Sequence, residues 1–118
     1  THSDIDVHID HQRTFQAVLQ ATRPSSNNNV EMLLSFEILS ATEKNFTKEF
    51  LPNYFIQINQ NSLEKKLKAM KCYKSEIAKH PFSRSLVNIK NLAMYRGSQS
   101  GNYFAEAFKI IRLIEKKR

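Results

Sequence analysis

The chain has 118 residues, 41% of them hydrophobic and 25% charged, which is the composition of a globular domain and excludes an intrinsically disordered chain. No apolar stretch reaches the roughly 20 residues that a membrane-spanning helix needs, so we expect no membrane span. Charge is divided unevenly. Residues 1–43 carry two basic against six acidic side chains, a net −4, and residues 44–118 carry sixteen against five, a net +11. The acidic segment 1–43 suits a cation, whereas the basic segment 44–118 suits a phosphate, a sugar nucleotide, a nucleic acid or simply water.

The single cysteine, Cys72, cannot form an internal disulfide, which favours a reducing compartment. The sequence shows no basic-then-apolar leader, so we expect a cytoplasmic protein. Cys72 is predicted to lie in the middle of a helix. We interpret it as a packing or surface residue rather than a nucleophile.

The first element predicted is a loop followed by a helix. Residues 1–9 alternate polar and apolar side chains, which fits a short strand end, but their density of Asp and His favours a loop at a sheet edge. Asp10 is the expected N-cap of the helix. The apolar face of this helix runs from Phe15 to Thr22, and Pro24 ends the helix.

Two strands are expected next. Residues 30–39 form an apolar run of the length of a buried strand, and residues 54–58 are aromatic and β-branched. The polar segment 40–52 between them is predicted to be a loop that Phe46 and Phe50 anchor.

The remaining residues predict two helices and a final strand. Asn61 or Ser62 is expected to cap the first helix, and Ser85 the second. The apolar stripe of the first helix is Leu63, Leu67, Met70 and Ile77. Residues 103–114 allow helix or strand, and their alternation of aromatic and charged side chains slightly favours a strand. The order helix, strand, strand, helix, helix, strand predicts an α/β fold that opens on a loop at the carboxyl edge of a strand, where such sheets gather their sites.

All three aspartates and three of the four histidines lie within residues 1–11. His8 and His11 are three residues apart, so at a helix start their side chains can converge. Imidazole is the commonest side-chain ligand of zinc, and Asp10 between them can orient an imidazole or cap the helix. Residue types alone fit one edge of a metal site or a solvated loop, and two ligands do not complete a catalytic zinc site.

Residues 1–13, THSDIDVHIDHQR, resemble the second conserved block of the PIG-L (LmbE-like) zinc-dependent deacetylases. Five further blocks resemble later motifs of that family in the same order, over nearly the whole chain. They are Arg23-Pro24, Phe36 to Glu43, Lys65 to Glu76, Pro81 to Ser85 and Tyr95 to Phe108.

The resemblance implies that residues 1–118 are the C-terminal portion of a single deacetylase domain, with a Rossmann-like α/β fold that lacks the N-terminal strands. It implies hydrolysis of an N-acetyl group on a sugar or sugar conjugate, with zinc or another divalent metal as the cofactor. By resemblance His11 is a zinc ligand, His8 stabilises the charged intermediate or protonates the leaving amine, and Asp10 supports them. It gives no role to His2, Asp4 or Asp6.

Two departures from the family pattern matter. The family's first block, Ala-His-Pro-Asp-Asp-Glu, supplies the other ligands and the general base and is absent from this sequence, so we expect the chain alone to bind zinc weakly and to be inactive. Phe82 and Ser83 replace the family's His and Pro, which leaves Arg84 to bind an anionic substrate group or to serve as a structural residue. Arg96 and Glu106 are interpreted as structural.

A second hypothesis is a non-catalytic binding or interaction module derived from this fold, which would also explain the missing first block. Nucleic-acid binding is not expected, because the lysines lie on one solvated helix face without a recognisable reading motif.

Overall fold

The elements of the chain follow the predicted order. A computed structural model describes residues 1–25, 27 and 30–116. The elements are α1 Ile9–Ala21, β1 Met32–Phe36, a 3-10 turn Thr42–Lys44, β2 Tyr54–Gln57, α2 Gln60–Lys71, α3 Leu86–Gln99 and β3 Ala105–Leu113. The predicted α/β class is therefore confirmed. Of the helices in the described residues, none combines the length and the apolar character needed to cross a membrane.

The three strands form one sheet in the order β1-β3-β2. β1 and β3 are antiparallel, with Phe36 opposite Phe108 and Met32 opposite Leu113, and the register shifts between Leu33 and Leu34. The final segment is therefore a strand, as the alternation predicted, because β1 offers it a partner.

The first residues of the chain run alongside β1. His2 forms an isolated parallel bridge with Phe36. The Phe36 N–H donates to the Thr1 carbonyl at 3.1 Å, and the Thr1 backbone nitrogen donates to the Leu34 carbonyl at 2.8 Å. A short strand end thus precedes the loop that leads into α1, so the two interpretations of residues 1–9 apply to successive parts of it.

Two compact units divide the chain. The first comprises residues 1–54 and 108–118, and the second comprises residues 55–107. Ile5, Phe15 and Leu33 are buried in the first unit. The buried hydrophobic residues of the second unit are Leu63, Ile89, Ala93, Ala105 and Ala107.

The helix N-caps were predicted correctly for α3 only. Ser85 accepts a hydrogen bond from the N–H three residues on, at 3.2 Å. The N-cap of α1 is His8 and not Asp10, because the His8 Nδ1 accepts the Asp10 N–H at 3.3 Å. The N-cap of α2 is Asn59, whose side chain accepts the N–H three residues on at 2.8 Å. Its extended backbone places that oxygen over the exposed helix N–H groups.

The C-terminal limit of α2 also differs from the prediction. The helix ends at Lys71, so Cys72 is an exposed C-cap rather than a mid-helix residue. The Cys72 N–H donates to the Ala69 carbonyl at 3.1 Å, a tight closing turn that ends the regular ladder. Ile77 therefore lies outside the helical stripe.

The loop between β1 and β2 is held by polar contacts. Phe46 is 92% exposed, so the prediction that it anchors this loop is wrong. Asn45 serves instead. Its Nδ2 donates to the Ile5 carbonyl at 2.8 Å, and its Oδ1 accepts the N–H groups of Thr47 at 3.0 Å and Lys48 at 3.1 Å. Local hydrogen bonds from an Asn side chain stabilise such turns without burying an aromatic ring.

Replacing Asn59 with alanine should lower the free energy of unfolding by about 1 kcal/mol, because an N–H of α2 loses its acceptor. Asn61→Ala is the matched control, since this exposed residue lies inside the helix. It should change stability by less than about 0.5 kcal/mol. Urea denaturation followed by circular dichroism measures both, and equal losses would contradict the assigned cap.

Candidate functional site

Three imidazole rings lie together where the loop enters α1. The ring centroids of His2 and His11 are 4.2 Å apart, those of His8 and His11 are 4.5 Å apart, and both pairs are stacked. We call His2, His8 and His11 the histidine stack. The predicted convergence of His8 and His11 is confirmed, because the cap and the first turn of α1 place them on one face. The structure adds His2, which the parallel bridge to β1 holds against His11.

A fully buried carboxylate, that of Asp6, lies beside the stack. Its Oδ1 accepts the His8 N–H at 2.8 Å, and its Oδ2 accepts the Thr42 hydroxyl at 3.1 Å. The His11 Nδ1 lies 3.0 Å from the same Oδ2. The sequence interpretation missed Asp6. An Asp two residues before a helix N-cap is the signal that could have indicated it, because such a side chain often accepts the N–H two residues on.

Asp10 lies on the outside of the site. It is exposed in the first turn of α1, where its charge favours the helix, and its carbonyl accepts the Thr14 hydroxyl at 2.7 Å. The carboxylate within 3.0 Å of a histidine ring nitrogen is that of Asp6, and not Asp10. The supporting role that the resemblance implies for Asp10 stays a prediction.

The block of residues 36–43 folds onto the block of residues 1–13. Thr42 is buried and bridges the two, because its hydroxyl donates to Asp6 and accepts the Ile38 N–H at 2.8 Å. Ser40 has a φ of 72°, in a region that costs a residue other than glycine roughly 1–2 kcal/mol. The Glu43 carboxylate offsets part of that cost, since it accepts the Ser40 N–H at 2.7 Å.

Burial shapes the electrostatics at the start of the chain. The pKa of His2 lies below its usual value, first because the ring is desolvated and second because His11 is close. The His2 Nδ1 is buried and has no hydrogen-bond partner in the described residues. His2 is therefore favoured as a neutral ring.

Arg84 belongs to the second unit and lies 2.6 Å from the Glu76 carboxylate, measured from Nη1 to Oε2. Its proposed role in binding an anionic substrate stays a prediction. Arg96 is 7% exposed and donates to Gln99 at 2.8 Å, and Glu106 pairs with a lysine of α2. Such internal contacts agree with a structural interpretation of Arg96 and Glu106.

The described residues fit one position of a zinc site. His11 has its Nδ1 near a buried carboxylate, which leaves Nε2 as the nitrogen to offer a metal, the usual arrangement of a ligand histidine. Within the described residues, no three His, Cys, Asp or Glu side chains are arranged to hold a metal ion. The role of His11 as a zinc ligand therefore stays a prediction.

Comparisons with protein-family models, curated proteins and solved structures gave no match to this chain. The assignment to the PIG-L family accordingly stays a prediction from the sequence blocks.

Proposed function

We propose that this chain is the C-terminal portion of a zinc-dependent N-deacetylase domain with a Rossmann-like fold, acting on an N-acetylated sugar or sugar conjugate. The observation that carries the proposal is the stacking of His8 on His11 beside the buried carboxylate of Asp6. It supports the proposal because the Nδ1 atoms of the two rings have different surroundings. The His8 Nδ1 accepts a backbone N–H, whereas the His11 Nδ1 lies beside the carboxylate, which suits a catalytic imidazole and a ligand imidazole respectively.

His8 is suited to act on the substrate. Its Nδ1 accepts the Asp10 N–H, so the neutral ring carries its proton on Nε2. The ring is also exposed. The Nε2–H can donate to the oxyanion that forms when the amide is attacked, and the protonated ring can deliver a proton to the leaving amine.

His11 is suited to hold the metal. Its ring lies between those of His2 and His8, which limits its rotation, and its side chain is 22% exposed. Zinc, when bound, would polarise the amide carbonyl and would supply a bound water that ionises near neutral pH. The proposal takes the other two ligands, a His and an Asp, and the Asp general base from a segment like the family's first block, outside these 118 residues. The proposed compartment is the cytoplasm, since a single cysteine suits a reducing environment.

The test uses the native full-length protein, loaded with zinc and incubated with an N-acetylglucosaminide. We expect release of acetate that stops when a chelator removes the metal and returns when zinc is restored. The intact mass is measured on the same sample. A mass close to that of 118 residues, with no acetate released, would overturn the proposal in favour of a non-catalytic module.

A further inference from the structure

We propose that Asp6, held in place by Thr42, is a positioning residue for His11 and keeps the proton of the neutral ring on Nδ1. The lone pair of Nε2 is then available to a ligand. The proton position is an inference from the geometry alone, and its consequence for zinc affinity rests on the proposed function.

The first step is the state of Asp6. Its side chain is fully buried, and a buried carboxylate is costly unless donors surround it. The His8 N–H at Oδ1 and the Thr42 hydroxyl at Oδ2 are two such donors. The His11 Nδ1, 3.0 Å from Oδ2, is the third neighbour, and it can stabilise the charge only if it carries a proton.

The second step is the direction of the Thr42 hydroxyl. This oxygen already accepts the Ile38 N–H at 2.8 Å. Its own proton therefore points to Asp6 Oδ2, and the carboxylate stays an acceptor toward His11. The relay runs from the Ile38 N–H through Thr42 and Asp6 to His11, and it joins residues 36–43 to residues 1–13.

The third step concerns the His11 ring. Its Nδ1 is buried and makes no in-line hydrogen bond with any described group, so the contact with Oδ2 is bent. Oδ2, at 3.0 Å, is the acceptor that a proton on Nδ1 meets. Which ring nitrogen of a neutral histidine carries the proton depends on the partner of the other nitrogen. The stacked rings of His8 and His11 then carry their protons on opposite nitrogens.

The test is nitrogen-15 NMR of the histidine rings in the chain, at a pH well above the ordinary imidazole pKa of about 6.5. We expect a pyridine-type Nε2 signal for His11 in the unchanged chain. In Asp6→Asn the amide oxygen takes the His8 N–H, and the NH2 group then faces Nδ1, so the Nε2 signal should move to the pyrrole-type position. Asp4→Asn, an exposed change in the same loop, should leave it unmoved. A pyrrole-type Nε2 in the unchanged chain, or no shift in Asp6→Asn, overturns the inference.

Thr42 gives a second pair of variants, which decides the matter if Asp6→Asn does not fold. Thr42→Ser keeps the hydroxyl and should keep the Nε2 signal of His11. Thr42→Val removes the hydroxyl and should shift part of the signal toward the pyrrole-type position, whereas identical spectra for the two variants would overturn the relay.

Zinc affinity separates this inference from the proposed function. In the full-length protein, Asp6→Asn should weaken zinc binding by about 10- to 100-fold, as expected for a residue behind a ligand histidine, and Asp4→Asn should not change it. An unchanged affinity in Asp6→Asn overturns the positioning role even if deacetylation is observed. Failure to release acetate, with the NMR shift present, overturns the function and leaves the proton position standing.

Discussion

Replacing His11 with alanine in the full-length protein should remove bound zinc and lower kcat/KM for deacetylation by about 10³-fold or more. A catalytic metal typically contributes several kcal/mol to a transition state, and about 4 kcal/mol corresponds to that factor. Zinc content is measured by elemental analysis, and kcat/KM by acetate release.

His8→Ala is the matched control, because it removes the neighbouring ring. This variant should retain its zinc and lose activity by about 10²- to 10⁴-fold, the range of a general acid or base. Circular dichroism confirms that both variants are folded. The assignment of His11 is wrong if His11→Ala keeps a full complement of zinc together with its activity.

Gly97→Ala should destabilise the second unit by about 3 kcal/mol. A Cβ on this buried α3 residue would lie 2.7 Å from the Asn102 carbonyl oxygen and 2.7 Å from the Tyr103 carbonyl carbon. Both contacts are with backbone, which cannot rotate away as a side chain can. The Asn102 N–H also donates to the Gly97 carbonyl at 2.8 Å, so the clash and the hydrogen bond involve the same turn.

Gly101 provides the control for that prediction. A Cβ there would meet nothing within 4 Å, but the φ of 72° is unfavourable for alanine. Gly101→Ala should therefore cost about 1–2 kcal/mol, and Gly101→Asn less, because Asn tolerates this conformation. Chemical denaturation measures all three variants. A Gly97→Ala chain as stable as Gly101→Ala would show that the turn after α3 moves freely.

The elements that could be predicted are those with a strong local signal. The Ser85 cap lies directly before an apolar helical stripe, and both the cap and the helix are confirmed. Residue type favours Asp10 as the cap of α1 and Asn61 or Ser62 as the cap of α2, whereas the capping oxygen depends on backbone direction at a neighbouring residue. Ile77 continued the apolar period of α2 in sequence beyond the point where the helix ends.

For β3 the sequence left helix and strand both open, since Ala105 and Glu106 favour a helix and the following isoleucines a strand. Pairing with β1 decided it, through contacts such as Phe36 opposite Phe108. Such pairing joins residues that are far apart in the chain, so the conformational preferences of neighbouring residues cannot predict it.

At the candidate site the sequence by itself determined that His8 and His11 meet, because a separation of three residues at a helix start places two side chains on one face. The tertiary structure decided which carboxylate lies against them. The hydroxyl of Thr42, which is 36 residues away, holds the Asp6 carboxylate in place. The parallel bridge to β1 holds His2 beside His11. The physical reason is that a buried charge takes its place where donors converge, and these donors converge only when the chain folds back on itself.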